Sequence, residues 1–188
     1  MFIETEQTPN PATLKFMPGR DVMGEQGTMS FDDPDATESS PLAASLFDIP
    51  HVEAVFLGRD FVTVTKHDDI DWVQVKPQVL GVIMEHFAAN RPVILADKSG
   101  GDAAGVSTAS AEDDEITREI RELIDTRVRP AVAQDGGDIV FQRFEDGVVY
   151  LHMRGACAGC PSSTLTLKQG IENMLMHYVP EVQAVEAM

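Results

Sequence analysis

The chain carries two cysteines, Cys157 and Cys160, in a single Cys-x-x-Cys within Gly155-Ala156-Cys157-Ala158-Gly159-Cys160-Pro161-Ser162-Ser163. Two thiols this close can ligate a metal or cycle between dithiol and disulfide. A secreted scaffold stapled by disulfides would need more cysteines, spread along the chain, and is excluded. Pro161 suits the first position of a helix, where a missing N–H is no loss. Thiols at that end of a helix feel its positive dipole, which favours the thiolate. Gly155 and Gly159 remove side-chain bulk so that backbone N–H groups can approach sulfur, and Ser162 and Ser163 add hydroxyl donors. Zinc and iron–sulfur clusters generally take four ligands, and each chain offers two thiols. The stoichiometry points to a site shared across a homodimer, unless an exogenous thiol completes it.

The elements around the cysteines can be read from periodicity. Ile116, Ile120, Leu123, Ile124 and Val128 share one helical face, which is expected to stop near Pro130 to Asp135. Ile139–Phe144 and Val148–Met153 read as a hairpin across Glu145-Asp146-Gly147, where Asp-Gly is a strong turn signal. Beyond the cysteine loop, Leu167, Ile171, Met174, Leu175 and Tyr178 mark a helix that Pro180 ends, and Val182–Val185 can return as a strand. Asp135-Gly136-Gly137-Asp138 reads as glycines closing a helix and turning the chain into a strand, because two carboxylates alone make a poor cation site.

Upstream, residues 98–111 are small, polar and glycine-rich and read as a flexible tether. They separate residues 1–97 from residues 112–188, two small units of mixed helix and strand, so the fold class is α+β. In the first unit, Phe2–Gln7, Ala12–Met17 and Thr28–Phe31 read as strands. Ser40 is the expected N-cap of a helix that starts at Pro41 and runs through Phe47. Val52–Leu57 and Phe61–Lys66 flank Gly58-Arg59-Asp60 as a hairpin. An amphipathic helix follows Asp71, with Pro77 expected to kink it or mark its effective start, and Pro92–Ala96 read as a last strand.

A formal charge of -17 from 14 basic and 31 acidic residues repels phosphate backbones and anionic lipid. Nucleic acid and membrane are therefore not expected partners, and no apolar run is long enough to span a bilayer. The N-terminus has neither the basic and apolar regions of a signal peptide nor the basic character of a transit sequence, so a cytoplasmic protein, or a processed organellar form, is expected. His51, His67, His86, His152 and His177 show no metal-ligand spacing, and no serine–histidine–acid arrangement or phosphate loop suggests an enzyme.

The run Val149 to Leu175, with Asp135-Gly-Gly-Asp138 before it and Val179-Pro-Glu-Val182 after it, resembles the C-terminal domain of the NifU-like (Nfu) family. Leu14-Lys-Phe-Met-Pro-Gly19, Ser40-Pro-Leu-Ala43, Asp60-Phe-Val-Thr-Val-Thr-Lys66 and the segment from Trp72 to Phe87 resemble its N-terminal domain. The resemblance implies an iron–sulfur cluster scaffold or carrier whose ligands are Cys157 and Cys160. It further implies a [4Fe-4S] cluster held between two chains, with [2Fe-2S] open as an intermediate. An upstream assembly scaffold and apo iron–sulfur recipients are the implied partners. The first unit, which has no cysteine, is left with partner recognition.

Two other readings of the motif stand beside this one. A dithiol oxidoreductase also places Cys-x-x-Cys before a helix, although the order helix, strand, strand, helix, strand is expected to lack βαβ order around the motif. A structural zinc-bridged dimer would use the same four thiolates.

Overall fold

The computed structural model describes residues 2–95, 115–158 and 161–188, the side chains of 161–163 excepted. The tether 98–111 and the acidic residues 112–114 lie outside the described residues. The chain divides into two compact units.

In the first unit, strands β1 (Glu4–Gln7), β2 (Thr13–Met17), β3 (Met29–Phe31), β4 (Val52–Leu57) and β5 (Val62–Lys66) form one antiparallel sheet in the order β1-β2-β5-β4-β3. The first turn is closed locally: Ala12 N–H donates to Asn10 Oδ1 at 3.0 Å, and Thr8 Oγ1 donates to Asn10 O at 2.8 Å. Helix α1 spans Pro41–Phe47 as expected, and Ser40 Oγ accepts from Ala43 N–H at 3.1 Å. The same hydroxyl donates to Val93 O at 2.8 Å, which ties the segment after helix α2 (Trp72–Ala88) to the start of α1. Val75, Val79, Ile83 and Phe87 of α2 join Leu42 and Leu46 of α1 against Val55, Leu57, Val62 and Val64 of the sheet.

Two expectations for this unit fail. Residues 92–95 form no strand, and Leu95 N–H instead donates to Ser39 O at 2.8 Å. Pro77 is not where α2 effectively starts: the helix opens at Trp72, and Pro77 sits inside it. The N–H that Pro77 lacks would have bonded Val73, in the helix's first turn, where tertiary packing of the buried face outweighs one lost bond.

In the second unit, α3 (Glu115–Leu123), a π-helical stretch (Ile124–Val128) and α4 (Arg129–Gln134) form one continuous helical run. The run ends at Gln134, within the stop expected near Pro130 to Asp135, and Pro130 itself lies inside it. Ile120, Ile124, Val128 and Val132 are all buried, one every four residues. In a regular α-helix that spacing drifts about 40° per step off one face. The wider π turn cancels much of the drift, with Arg129 N–H bonding Ile124 O five residues back.

Strands β6 (Gly137–Glu145) and β7 (Val148–Gly155) pair antiparallel around Asp146 and Gly147, whose φ values of 51° and 79° suit the tight hairpin turn the Asp-Gly pair signals. Helix α5 (Pro161–Tyr178) starts at Pro161 as expected, and β8 (Ala184–Ala187) follows two residues later than expected. The sheet order is β6-β7-β8, with β8 parallel to β7. This overturns the expectation of no βαβ order: β7, α5 and β8 are a βαβ crossover, and the cysteine loop is its β-to-α turn. Parallel neighbours need a crossover of a dozen or more residues, which the 18 residues of α5 supply.

Candidate metal centre

The loop that carries Cys157 begins where β7 ends. Gly155 turns the chain with φ of 65°, and Ala158 N–H donates to Gly155 O at 3.0 Å, closing a short turn with Ala156 and Cys157 at its centre. Ala156 N–H donates to Gly136 O at 3.2 Å, which pins the loop to the start of the neighbouring strand. Thr164 Oγ1, in the first turn of α5, donates to Cys157 O at 3.1 Å. Three elements of the unit therefore hold one cysteine.

Cys157 itself is buried, 6% exposed, and belongs to the core that includes Ile139, Met153 and Ile171. The space for its sulfur comes from Gly137. A Cβ on Gly137 would fall inside the van der Waals envelope of Cys157 Sγ, 2.9 Å from Arg154 O and 3.1 Å from Cys157 N. Gly155 serves the turn, and the room for the thiol comes from Gly137, across the hairpin from it.

The expected thiolate-favouring dipole does not govern Cys157. Burial, followed by the charges of Asp135 and Asp138, pushes its thiol up to about 12. Cys160 and Gly159 lie outside the described residues, as do the side chains of Ser162 and Ser163. Among the described residues no group of three or more His, Cys, Asp or Glu side chains could hold a metal ion. His152 lies on β7 on the face opposite the buried Leu151 and Met153.

Reading Asp135 to Asp138 only as a turn missed three hydrogen bonds. Gly136, with φ of 78°, does turn the chain out of α4, but Asp138 is 3% exposed. Its carboxylate accepts from Arg129 Nε at 2.8 Å, from Arg129 Nη2 at 2.9 Å and from Ile139 N–H at 2.8 Å. That pairing raises the Arg129 guanidinium further above its ordinary value, with Asp138 the largest cause. The signal in the sequence was the second glycine. One glycine suffices to reverse the chain, so a second in the strand itself marks a place where something approaches closely.

The site is a partly apolar thiol loop at the β-to-α turn of a small βαβ unit, with soft sulfur donors suited to iron or zinc. Comparison with known proteins gives the family. Residues 3–90 match the family model described as the scaffold protein Nfu/NifU N-terminal domain, and residues 120–186 match the NifU-like domain. The chain belongs to the Nfu/NifU family of iron–sulfur cluster scaffold proteins. It is 49% identical over 187 residues to the human NFU1 iron-sulfur cluster scaffold homolog, mitochondrial, covering 99% of this chain and 71% of that protein. The Drosophila virilis protein of the same name is 48% identical over 186 residues, and this chain spans 61% of its length. A solution structure of a NifU-like protein from Saccharomyces cerevisiae is similar at a TM-score of 0.47 and 26% identity, covering 51% of this chain and 86% of that one. The cytoplasmic expectation is corrected by these comparisons, because both relatives are named mitochondrial.

Proposed function

We propose that two copies of this chain carry an iron–sulfur cluster as cargo, each copy supplying Cys157 and Cys160, and hand it to apo-proteins that need it. The observation that carries this reading is the donor count: each chain holds one Cys-x-x-Cys and no other thiol, at the turn of the βαβ unit in the NifU-like domain. Four thiolates complete a [4Fe-4S] cluster, and two chains supply four. A [2Fe-2S] form is the natural smaller intermediate on the same ligands. Separating the chains would halve the coordination in one motion, which suits a carrier better than a permanent cofactor site. The relatives' mitochondrial names support the mitochondrion as the compartment.

For the first unit we propose recognition of recipients or of the upstream assembly machinery. It has no cysteine, and α2 turns Val73 (84% exposed) and Met84 (45% exposed) to solvent, with Pro77 and Gly81 exposed along the same face. An exposed apolar stripe on a helix is a natural docking face.

The βαβ crossover favours one competing reading, a dithiol oxidoreductase. Burial raises the Cys157 thiol and lowers its thiolate fraction for redox chemistry and metal ligation alike, so experiment separates the two readings. The deciding experiment is native mass spectrometry of anaerobically reconstituted protein alongside its visible spectrum. A two-chain species with the mass of one [4Fe-4S] cluster and broad visible absorption supports the carrier. Zinc without visible absorption, or a redox-active disulfide, would replace it.

A further inference from the structure

We infer that Arg129 and Asp138 are positioning residues for Cys157, holding Gly137 where its bare Cα can seat the sulfur. The inference rests on the reading of Cys157 as a cluster ligand. Asp138 is a buried carboxylate, and such a group is kept only when its oxygens are paired. Here the fork of Arg129 supplies two donors and the N–H of Ile139 a third. Arg129 opens α4, directly after the π-helical stretch, and its Nη1 also bonds Asp125 Oδ1 at 3.3 Å.

The pair therefore joins the helical run to the second residue of β6. Gly137 is the first residue of that strand, one bond away, and pairs with Gly155 at the base of the cysteine loop. Gly136, on its other side, accepts the loop's Ala156 N–H. With Asp138 clamped by two parallel N–H···O bonds, the backbone that faces Cys157 has little freedom to shift. A planar bidentate fork supplies that directional hold, and a lysine ammonium does not. An apolar pair of similar size would fill the volume equally well, so the ion pair's distinctive contribution is geometry rather than stability.

The test uses the full chain in a Cys160→Ser background, so that Cys157 is the only thiol. Iodoacetamide labelling of the metal-free protein is timed for the parent, Arg129→Lys, Asp138→Asn and the double variant Arg129→Met/Asp138→Leu. Far-ultraviolet circular dichroism and unfolding midpoints identify the folded ones. The double variant is included because replacing a buried ion pair by apolar residues commonly preserves folding. Positioning predicts labelling about tenfold faster in Arg129→Lys and in the double variant at parental helix content, as a sequestered thiol gains access to solvent. Arg129→Lys decides, because it keeps the Asp138 charge that also acts on the thiol. Labelling within about twofold of the parent in those folded variants would overturn it, since a purely structural pair is rescued by lysine or by apolar filling. The same substitutions with Cys160 restored should alter the cluster's visible circular dichroism after reconstitution. If the parent takes up no cluster at all, the carrier reading fails while the labelling contrast still decides the positioning role.

Discussion

Gly137 and Cys157 lie twenty positions apart and share one space: the sulfur of Cys157 occupies the volume that a side chain on Gly137 would fill. The Gly137→Ala protein should therefore keep its fold but expel the thiol from its seat. Overpacking of this kind costs about 1–3 kcal/mol. Urea unfolding would show the loss, and iron and acid-labile sulfide content after reconstitution should fall well below the parent's. Parental cluster content in a folded Gly137→Ala protein would mean that the seat is irrelevant to loading.

Replacing Cys157 or Cys160 with Ser should each abolish the cluster, because serine is a poor ligand for iron in place of a thiolate. Cys157→Ser carries an added penalty, since it puts a hydroxyl among Ile139, Met153 and Ile171, at a cost of about 1–3 kcal/mol. Metal analysis and denaturation together check both. Full iron and sulfide in the Cys160→Ser protein would show that the ligands have been misassigned.

The first unit should weaken in mild acid through His86, which is buried on α2 beside Arg91. Burial first, and the Arg91 charge second, hold its pKa below the ordinary 6.5. The unfolded chain then takes up the proton first as pH falls. The stability that neutral His86 contributes is present above 6.5 and is lost as pH drops through that value towards the lower folded one. Trp72, the one tryptophan of the chain, lies in this unit and reports its unfolding by fluorescence. The urea midpoint should decline between about pH 7 and pH 5, and His86→Leu should flatten the decline. An unchanged slope in that variant would point to other groups.

Charge placed on the outer face of α2 should impair handover without impairing loading. Val73→Glu and Met84→Glu alter exposed positions, so stability should change by no more than about 0.5 kcal/mol. Cluster content should match the parent, while transfer to an apo-recipient, followed by recipient activity, should slow several-fold. Equal transfer rates would remove the reason for assigning recognition to this face.

Much of the site is legible in the amino-acid sequence. Cys-x-x-Cys followed by Pro161 places two thiols at a helix start, and Asp146-Gly147 sets the hairpin that leads to them. Ser40-Pro41 opens α1 at the residue the cap chemistry requires. These features depend on backbone preferences and hydrogen bonds among residues a few positions apart, so the local sequence determines them. What tertiary structure decided lies across longer separations. The helical run stops within the expected Pro130 to Asp135 window, but the π turn that keeps Ile120, Ile124, Val128 and Val132 on the core is set by packing. Whether β8 joins β7 parallel depends on where α5 packs, which no pattern within β8 records. A dipole argument alone made Cys157 a ready thiolate, but desolvation and two nearby carboxylates prevail once the fold buries it. Gly137 and the Arg129–Asp138 pair belong to the site for the same reason: hairpin and helix bring them to the cysteine, and only packing tells a turn glycine from one that makes room for sulfur.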